Sequence, residues 1–270
     1  MTKQADEALV RLVMAGGALA PRRALLQGAG SAEAALALGV AGWRAHGCTP
    51  EQCAALERPD AQRSKAALHW LQDDHHHLLA VTDPAFPPLL PEVPNPPLAL
   101  FVAGDPGLAW RPAVAVVGSR SPTPAGRALA ARFAGSFAEA GLAVASGLAA
   151  GIDAAAHLAV LDAGGSTVAV IGTGPDRAYP DHHAPLQARI GAEGAVLSEY
   201  LPGTAARPGH FPARNRLVAG LALATVVIEA AHRSGALITA RLAAEAGREV
   251  CAVPGSVLNP RAAGCHRPVS

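Results

Sequence analysis

The residues best equipped for chemistry lie in HFPARNRLVAGLA (210–222), where Phe211 and a proline precede Arg214, Asn215 and Arg216 and an apolar run follows. Two guanidinium groups and an amide beside an aromatic ring suit an anionic ligand with flat, stackable parts. The guanidiniums hold phosphates and the ring stacks a base. The structural alternative locks the arginines to carboxylates such as Glu199 or Glu229, since arginines are not buried without partners. No acidic cluster lies nearby in sequence, which favours exposed arginines and single-stranded nucleic acid.

Two further stretches offer anion-binding groups. In Gly118-Ser119-Arg120 a hydroxyl, a guanidinium and the N–H groups of a following helix can converge on a phosphate. In SGLAAGIDAAAH (146–157) Ser146 and Gly147 open a turn that leads into a helix near Gly151. Gly147 and Gly151 permit close backbone approach. Asp153 falls in the first helical turn, where a negative charge is favourable in its own right. His157, four residues on and on the same face, is placed to pair with it.

These stretches need a frame. Strand candidates AVAVVG (113–118), LAVAS (142–146), STVAVIG (166–172), AVLSEY (195–200), ATVVIEA (224–230) and EVCAVPG (249–255) alternate with helical runs such as GRALAARFAGSFAEAG and GALITARLAAEAG. Apolar strands alternating with amphipathic helices specify an α/β doubly wound parallel sheet, with ligands beyond the carboxyl ends of the strands. Small or polar residues follow nearly every strand there. Ahead of this Rossmann-like region (113–270) lie two others. Residues 1–73 read as a small all-helical domain, with helices around 5–15, 20–27, 31–38, 50–56 and 60–72. Thr49-Pro50 marks one helix start and Ser31 another. Residues 74–112 read as a proline-rich connector with one extension strand at 98–102. His75, His76 and His77 fall at its start and read as solvated linker rather than a metal site, because consecutive side chains diverge.

Composition narrows the classes. Of 270 residues, 22 are basic and 21 acidic, so any anion binding arises from local clustering. Cys48, Cys53, Cys251 and Cys265 form no metal-ligand spacing and suit a reducing cytoplasm. No apolar run of membrane-spanning length occurs. GSRSPTPAG lacks the glycine spacing of a dinucleotide site, and no Walker A loop, nucleophile elbow or HExxH signature is present, so no cofactor or metal is expected.

The motifs VAVVGSRSPTPAG (114–126), SGLAAGIDAAAH (146–157), VAVIGTGPDRAYP (168–180), SEYLPGTAARPGHFPARNRLVAGL (198–221), EAAHRSGALITARLA (229–243) and VPGS (253–256) come in the order seen in one family. Over 80–266 the chain resembles DNA-processing protein A, also called Smf. The resemblance implies a cytoplasmic protein, not an enzyme, that binds single-stranded DNA and delivers it to the recombinase RecA during natural transformation. It implies an extended Rossmann-like core, a preceding helical domain of SAM-like or helix-hairpin-helix-like type, and a DNA pocket built from Gly118, Ser119, Arg120, Ser146, Gly147, Phe211, Arg214, Asn215 and Arg216. Family members continue past GCH (264–266) with a further helix and strand, near where they dimerise. This chain stops at RPVS, so the expectation is a core shortened at its C-terminal end, with the homodimer and the RecA contact in question. Two alternatives stand beside this. One is a nucleotide-binding phosphoribohydrolase-like enzyme using Glu199, Glu229 or Asp153, although its PGGxGT-type loop is replaced by EAAHRSGALIT (229–239). The other is a truncated module that has lost DNA binding.

Overall fold

The structure is a computed structural model and describes residues 3–256 and 258–266; RPVS (267–270) lies outside the described residues. Six short helices come first: α1 (Lys3–Met14), α2 (Leu19–Ala29), α3 (Ala32–Ala37), α4 (Gly39–Ala45), α5 (Pro50–Glu57) and α6 (Ala61–Trp70). Their starts follow local chemistry. Thr49 Oγ1 accepts from the Gln52 N–H while the Gln52 side chain accepts from the Thr49 N–H, a reciprocal cap with Pro50 at the first helical position. Ser31 and Asp60 cap α3 and α6 one-sidedly, their side chains accepting the N–H groups of Ala34 and of Gln62 and Arg63. Helix α4 escapes a pattern reading because two glycines interrupt its seven residues.

Then follow β1 (His76–Ala80), β2 (Ala99–Gly104), β3 (Ala113–Gly118), α7 (Pro124–Glu139), β4 (Ala143–Ser146), α8 (Ile152–Asp162), β5 (Thr167–Val170), α9 (Ala184–Glu193), β6 (Ala195–Ser198), α10 (His210–Leu221), β7 (Ala224–Ile228), α11 (Gly235–Glu245) and β8 (Glu249–Ala252). One sheet runs in the order β1-β2-β6-β5-β4-β3-β7-β8, and its six strands from β6 to β8 are parallel. All six strands expected from 113 onward are present. Side chains alternate between the faces: Val114 and Val116 meet α7 and α8, whereas Ala115 and Val117 meet α10 and α11. The sheet is therefore covered on both sides, as a doubly wound Rossmann-like fold requires.

The histidine run is not a solvated linker. His76 and His77 begin β1, which pairs antiparallel with β2, and β2 pairs antiparallel with β6. His76 lies flat on Trp70, with ring centroids 3.8 Å apart, and its Nδ1 lies 2.8 Å from the Trp70 carbonyl oxygen. The run belongs to the sheet because two leucines follow it: Leu78 packs with Phe101 under α1–α6, and Leu79 faces the main core. Among the described residues no group of three His, Cys, Asp or Glu side chains stands close enough to hold a metal ion, and no helix is long and apolar enough to cross a membrane.

The chain runs β3→β4→β5→β6 in one direction along the sheet and then crosses over to β7 on the far side of β3. At this reversal the connecting helices leave on opposite faces, and a crevice opens beyond the carboxyl ends of β3 and β7. His157 locks α8 to the sheet beside it. It does not pair with Asp153. Thr167 Oγ1 donates to the Val144 carbonyl oxygen (2.9 Å), so it accepts from His157 Nδ1 (2.7 Å), which fixes the proton on Nδ1. Nε2 is buried without a partner.

Burial, reinforced by the positive charges of Arg214 and His183, pulls the His157 pKa down to about 3. A lowered value means that the unfolded chain takes up this proton first as pH falls. Stability is then complete above about pH 6.5 and declines below it, by about 1.4 kcal/mol per pH unit from this group, until about pH 3. His157→Asn keeps a donor for Thr167 but does not titrate. Urea unfolding at pH 7 and pH 5.5 should show the parent losing more stability than the variant. Equal losses would contradict a neutral, buried His157.

Candidate nucleic-acid interface

The crevice between β3 and β7 forms a cleft of about 560 Å³. Its floor is set by close packing. A Cβ at Gly118 would collide with the Ile228 carbonyl oxygen and the Ile152 side chain, so β3 and β7 approach this closely only with glycine there. The Ser119 N–H continues the pairing by donating to the Ile228 carbonyl oxygen (3.3 Å), and Ser119 Oγ accepts from the Ser121 N–H (3.1 Å). The resulting turn presents Arg120 to solvent at the rim, without an ion pair among the described residues.

Beneath the turn lies a buried charge cluster. Asp153 accepts from the N–H groups of Gly147 (3.1 Å) and Ala149 (3.3 Å). Burial raises its pKa, and the nearby Arg214 charge acts against that rise. Arg214 is 4% exposed; its Nη1 donates to the Val170 carbonyl oxygen, and its guanidinium occupies the space a Cβ at Gly147 would need. Burial pulls the Arg214 pKa down to about 10, with Asp153 opposing.

Helix α10 decides where the remaining predicted groups go. Phe211, Arg214, Asn215 and Val218 fall at helical spacing on one side and line the cleft. Arg216, two residues from Arg214, lies on the opposite side. There it forms a two-pronged pair with Glu199, with both N–O distances 2.6 Å, and donates from Nε to the Asn95 carbonyl oxygen (2.8 Å). The expectation of two exposed arginines is therefore overturned: both are buried, and Arg216 is held by Glu199 as the structural alternative anticipated. Ser146 is corrected as well. It is fully buried and donates to the Val116 carbonyl oxygen (2.6 Å), a strut between β4 and β3 rather than part of the cleft wall. Seven of the nine predicted residues line the cleft, all except Ser146 and Arg216.

The sequence reading missed three contributors. Tyr179 leans on Phe211 with centroids 4.8 Å apart, and Gly172 leaves room for that ring, since a Cβ there would lie 3.0 Å from Phe211 Cδ1. Arg233 lines the cleft, exposed and unpaired among the described residues. Ser234 beside it caps α11, accepting from the Ala236 N–H (3.2 Å). The signal was present in EAAHRSGALIT: an arginine followed by a Ser-Gly helix start directly after a strand.

The three carboxylates considered as catalytic groups are all engaged. Glu199 holds Arg216, and Asp153 holds the Gly147 turn. Glu229 accepts from the Thr123 N–H (2.8 Å) and hydroxyl, holding the start of α7.

With this geometry in place, comparison identifies the kinship. The family described as DNA recombination-mediator protein A matches residues 77–270. The chain belongs to that family. The DNA processing protein DprA of Streptococcus pneumoniae is 46% identical over 187 residues, which is 69% of this chain and 66% of that protein. The chain spans between about 40% and two thirds of the length of the curated relatives it matches. The solved structure of the S. pneumoniae DNA processing protein A superposes with a TM-score of 0.83 at 35% identity, covering 97% of this chain and 90% of that one. A second solved structure concerns the single-stranded DNA binding mode of DNA processing protein A from Helicobacter pylori. It matches with a TM-score of 0.62 at 30% identity over 68% of this chain and 82% of that one.

The Arg216–Glu199 pair makes a prediction for this family member. Arg216→Ala strands a half-buried carboxylate and should cost about 2–4 kcal/mol in urea denaturation, less than a fully buried pair because Glu199 borders an open cleft, whereas Arg216→Met with Glu199→Leu should cost far less. A mild effect of the single substitution would show that the pair does not hold α10 in place.

Proposed function

We propose that this chain binds single-stranded DNA in the β3–β7 cleft. The observation that carries the reading is the juxtaposition, at the reversal point of the sheet, of two unpaired exposed arginines with an aromatic pair. Arg120 and Arg233 supply phosphate contacts from either side, and Phe211 with Tyr179 supplies faces on which bases stack. Ser119, Asn215 and the Ser234–Ala236 helix start add hydrogen-bonding groups. Arg214 works from below: it sets the cleft floor and contributes a fixed positive charge. Kinship with a protein whose single-stranded DNA binding has been described supports the same reading.

The role is binding rather than catalysis, since the candidate carboxylates are already engaged in holding the fold. In the cytoplasm, the bound strand would be delivered to the RecA recombinase during natural transformation, in keeping with the family's description as a recombination mediator. Two copies of the chain acting as a homodimer belong to the same proposal.

Fluorescence anisotropy of a labelled ~20-nucleotide oligo-dT, with duplex competitor and at several salt concentrations, tests the site. Arg120→Ala and Arg233→Ala should each lower the log–log salt slope by about 0.7 per lost phosphate contact. Phe211→Ala should cost about 1–3 kcal/mol of binding. Unchanged slopes in both arginine variants would place the DNA elsewhere.

A further inference from the structure

Arg120 lines more than one depression. On its other side a groove of about 580 Å³ opens between α7, the start of α8 and the start of α9, and Arg120 and Gly151 are part of its wall. The ridge separating groove and cleft is rigid: a Cβ at Gly151 would strike the Ser119 carbonyl oxygen, so the Arg120 turn sits directly on the start of α8. No Asp or Glu lines this groove, whereas Arg120, Arg127, Arg189, His182 and His183 do.

Two of those five are already committed. Arg189 is held by Asp162 (2.8 Å) and Glu193 (3.1 Å), and His183 is buried with Nδ1 3.0 Å from the Leu148 carbonyl oxygen. Arg120, Arg127 and His182 are exposed and make no ion pair among the described residues. Leu158, 42% exposed, adds an apolar patch to the same wall. In a chain of formal net charge +1, a groove lined by two unpaired arginines without a carboxylate is a local positive field, and it adjoins the β3–β7 cleft.

We infer that a single strand seated in the β3–β7 cleft continues over Arg120 into this second groove. Arg127 and His182 take phosphates there, and Leu158 meets a sugar or base face. The inference rests on the cleft being the DNA site and extends it: Arg120 becomes the midpoint of the binding path rather than its edge. The occupied length of strand is then longer than the cleft alone can hold.

Arg127→Glu, Arg127→Ala and His182→Ala alter exposed side chains, and a circular-dichroism melt checks that each variant folds. For a ~20-nucleotide oligo-dT the Arg127→Ala variant should show a log–log salt slope smaller by about 0.7, with a larger loss for Arg127→Glu and weaker binding for His182→Ala. For a ~2-nucleotide oligo-dT at high concentration, short enough to sit in a cleft of about 560 Å³, the three variants should bind as the parent does. Parent-like behaviour of all three on the long oligomer, with Arg120→Ala still impaired, would overturn the second groove and leave the cleft standing. A parent protein that binds neither oligomer would overturn both.

Discussion

Beneath the cleft, a buried guanidinium lies in the field of a buried carboxylate without an ion pair between them, and much of the site depends on that arrangement. An arginine at 4% exposure is tolerable only if its lost hydration is replaced. Arg214 has the Val170 carbonyl oxygen and the field of Asp153, which replace part of that hydration, while its Nε is buried without a partner. Asp153 in turn is satisfied by the backbone N–H groups of Gly147 and Ala149, which shapes the turn after β4. Three segments distant in sequence, the Gly147 turn, the end of β5 and the face of α10, are thereby tied to one another. Gly147 is required because the guanidinium fills the place of its missing side chain. The cleft above has a fixed floor with positive character, and its exposed rim can change without loosening that floor.

Helix α10 divides two different kinds of arginine chemistry. Toward the cleft it turns Phe211, Arg214 and Asn215. Toward the α1–α6 side it turns Arg216, which closes on Glu199 in a cleft of about 910 Å³ that α1 and α6 also line. In the first set Phe211 and Asn215 line the cleft wall, and Arg214 is buried beneath it. The second holds the helix in position against the loop that carries Asn95. A nearly neutral chain thus acquires a locally positive face by leaving Arg120, Arg127 and Arg233 exposed and without ion pairs, among the described residues, near the carboxyl ends of its strands.

Much of this was legible in the sequence. Alternation of apolar strands with amphipathic helices marked all six strands from Ala113 onward; for β3 to β7 burial leaves a near-continuous apolar run, whereas the edge strand β8 is largely exposed. Thr49-Pro50 marked a helix start because a capping hydroxyl and a fixed φ act locally. What failed was decided at long range or by phase. The strand at His76–Ala80 was hidden by its polar beginning, and only pairing with β2 makes it a strand. Arg216 was grouped with Arg214 by proximity, although a helix starting at His210 places residues two apart on opposite sides. Ser146 was assigned to the cleft as a strand-end residue, whereas its hydroxyl is turned inward to the Val116 carbonyl oxygen. Arg233 and Tyr179 come from loops whose route the pattern does not specify.

The decisive physical question is where a bound single strand lies on this sheet edge. Photocrosslinking of an oligo-dT carrying 5-iodouracil, followed by mass spectrometry of the peptides, reads that position directly. Crosslinks at Phe211 and Tyr179 are the expected result under the proposed binding, since Phe211 lines the β3–β7 cleft and Tyr179 leans on it. Crosslinks confined to α1–α6, or to the cleft beside Arg216, would contradict it.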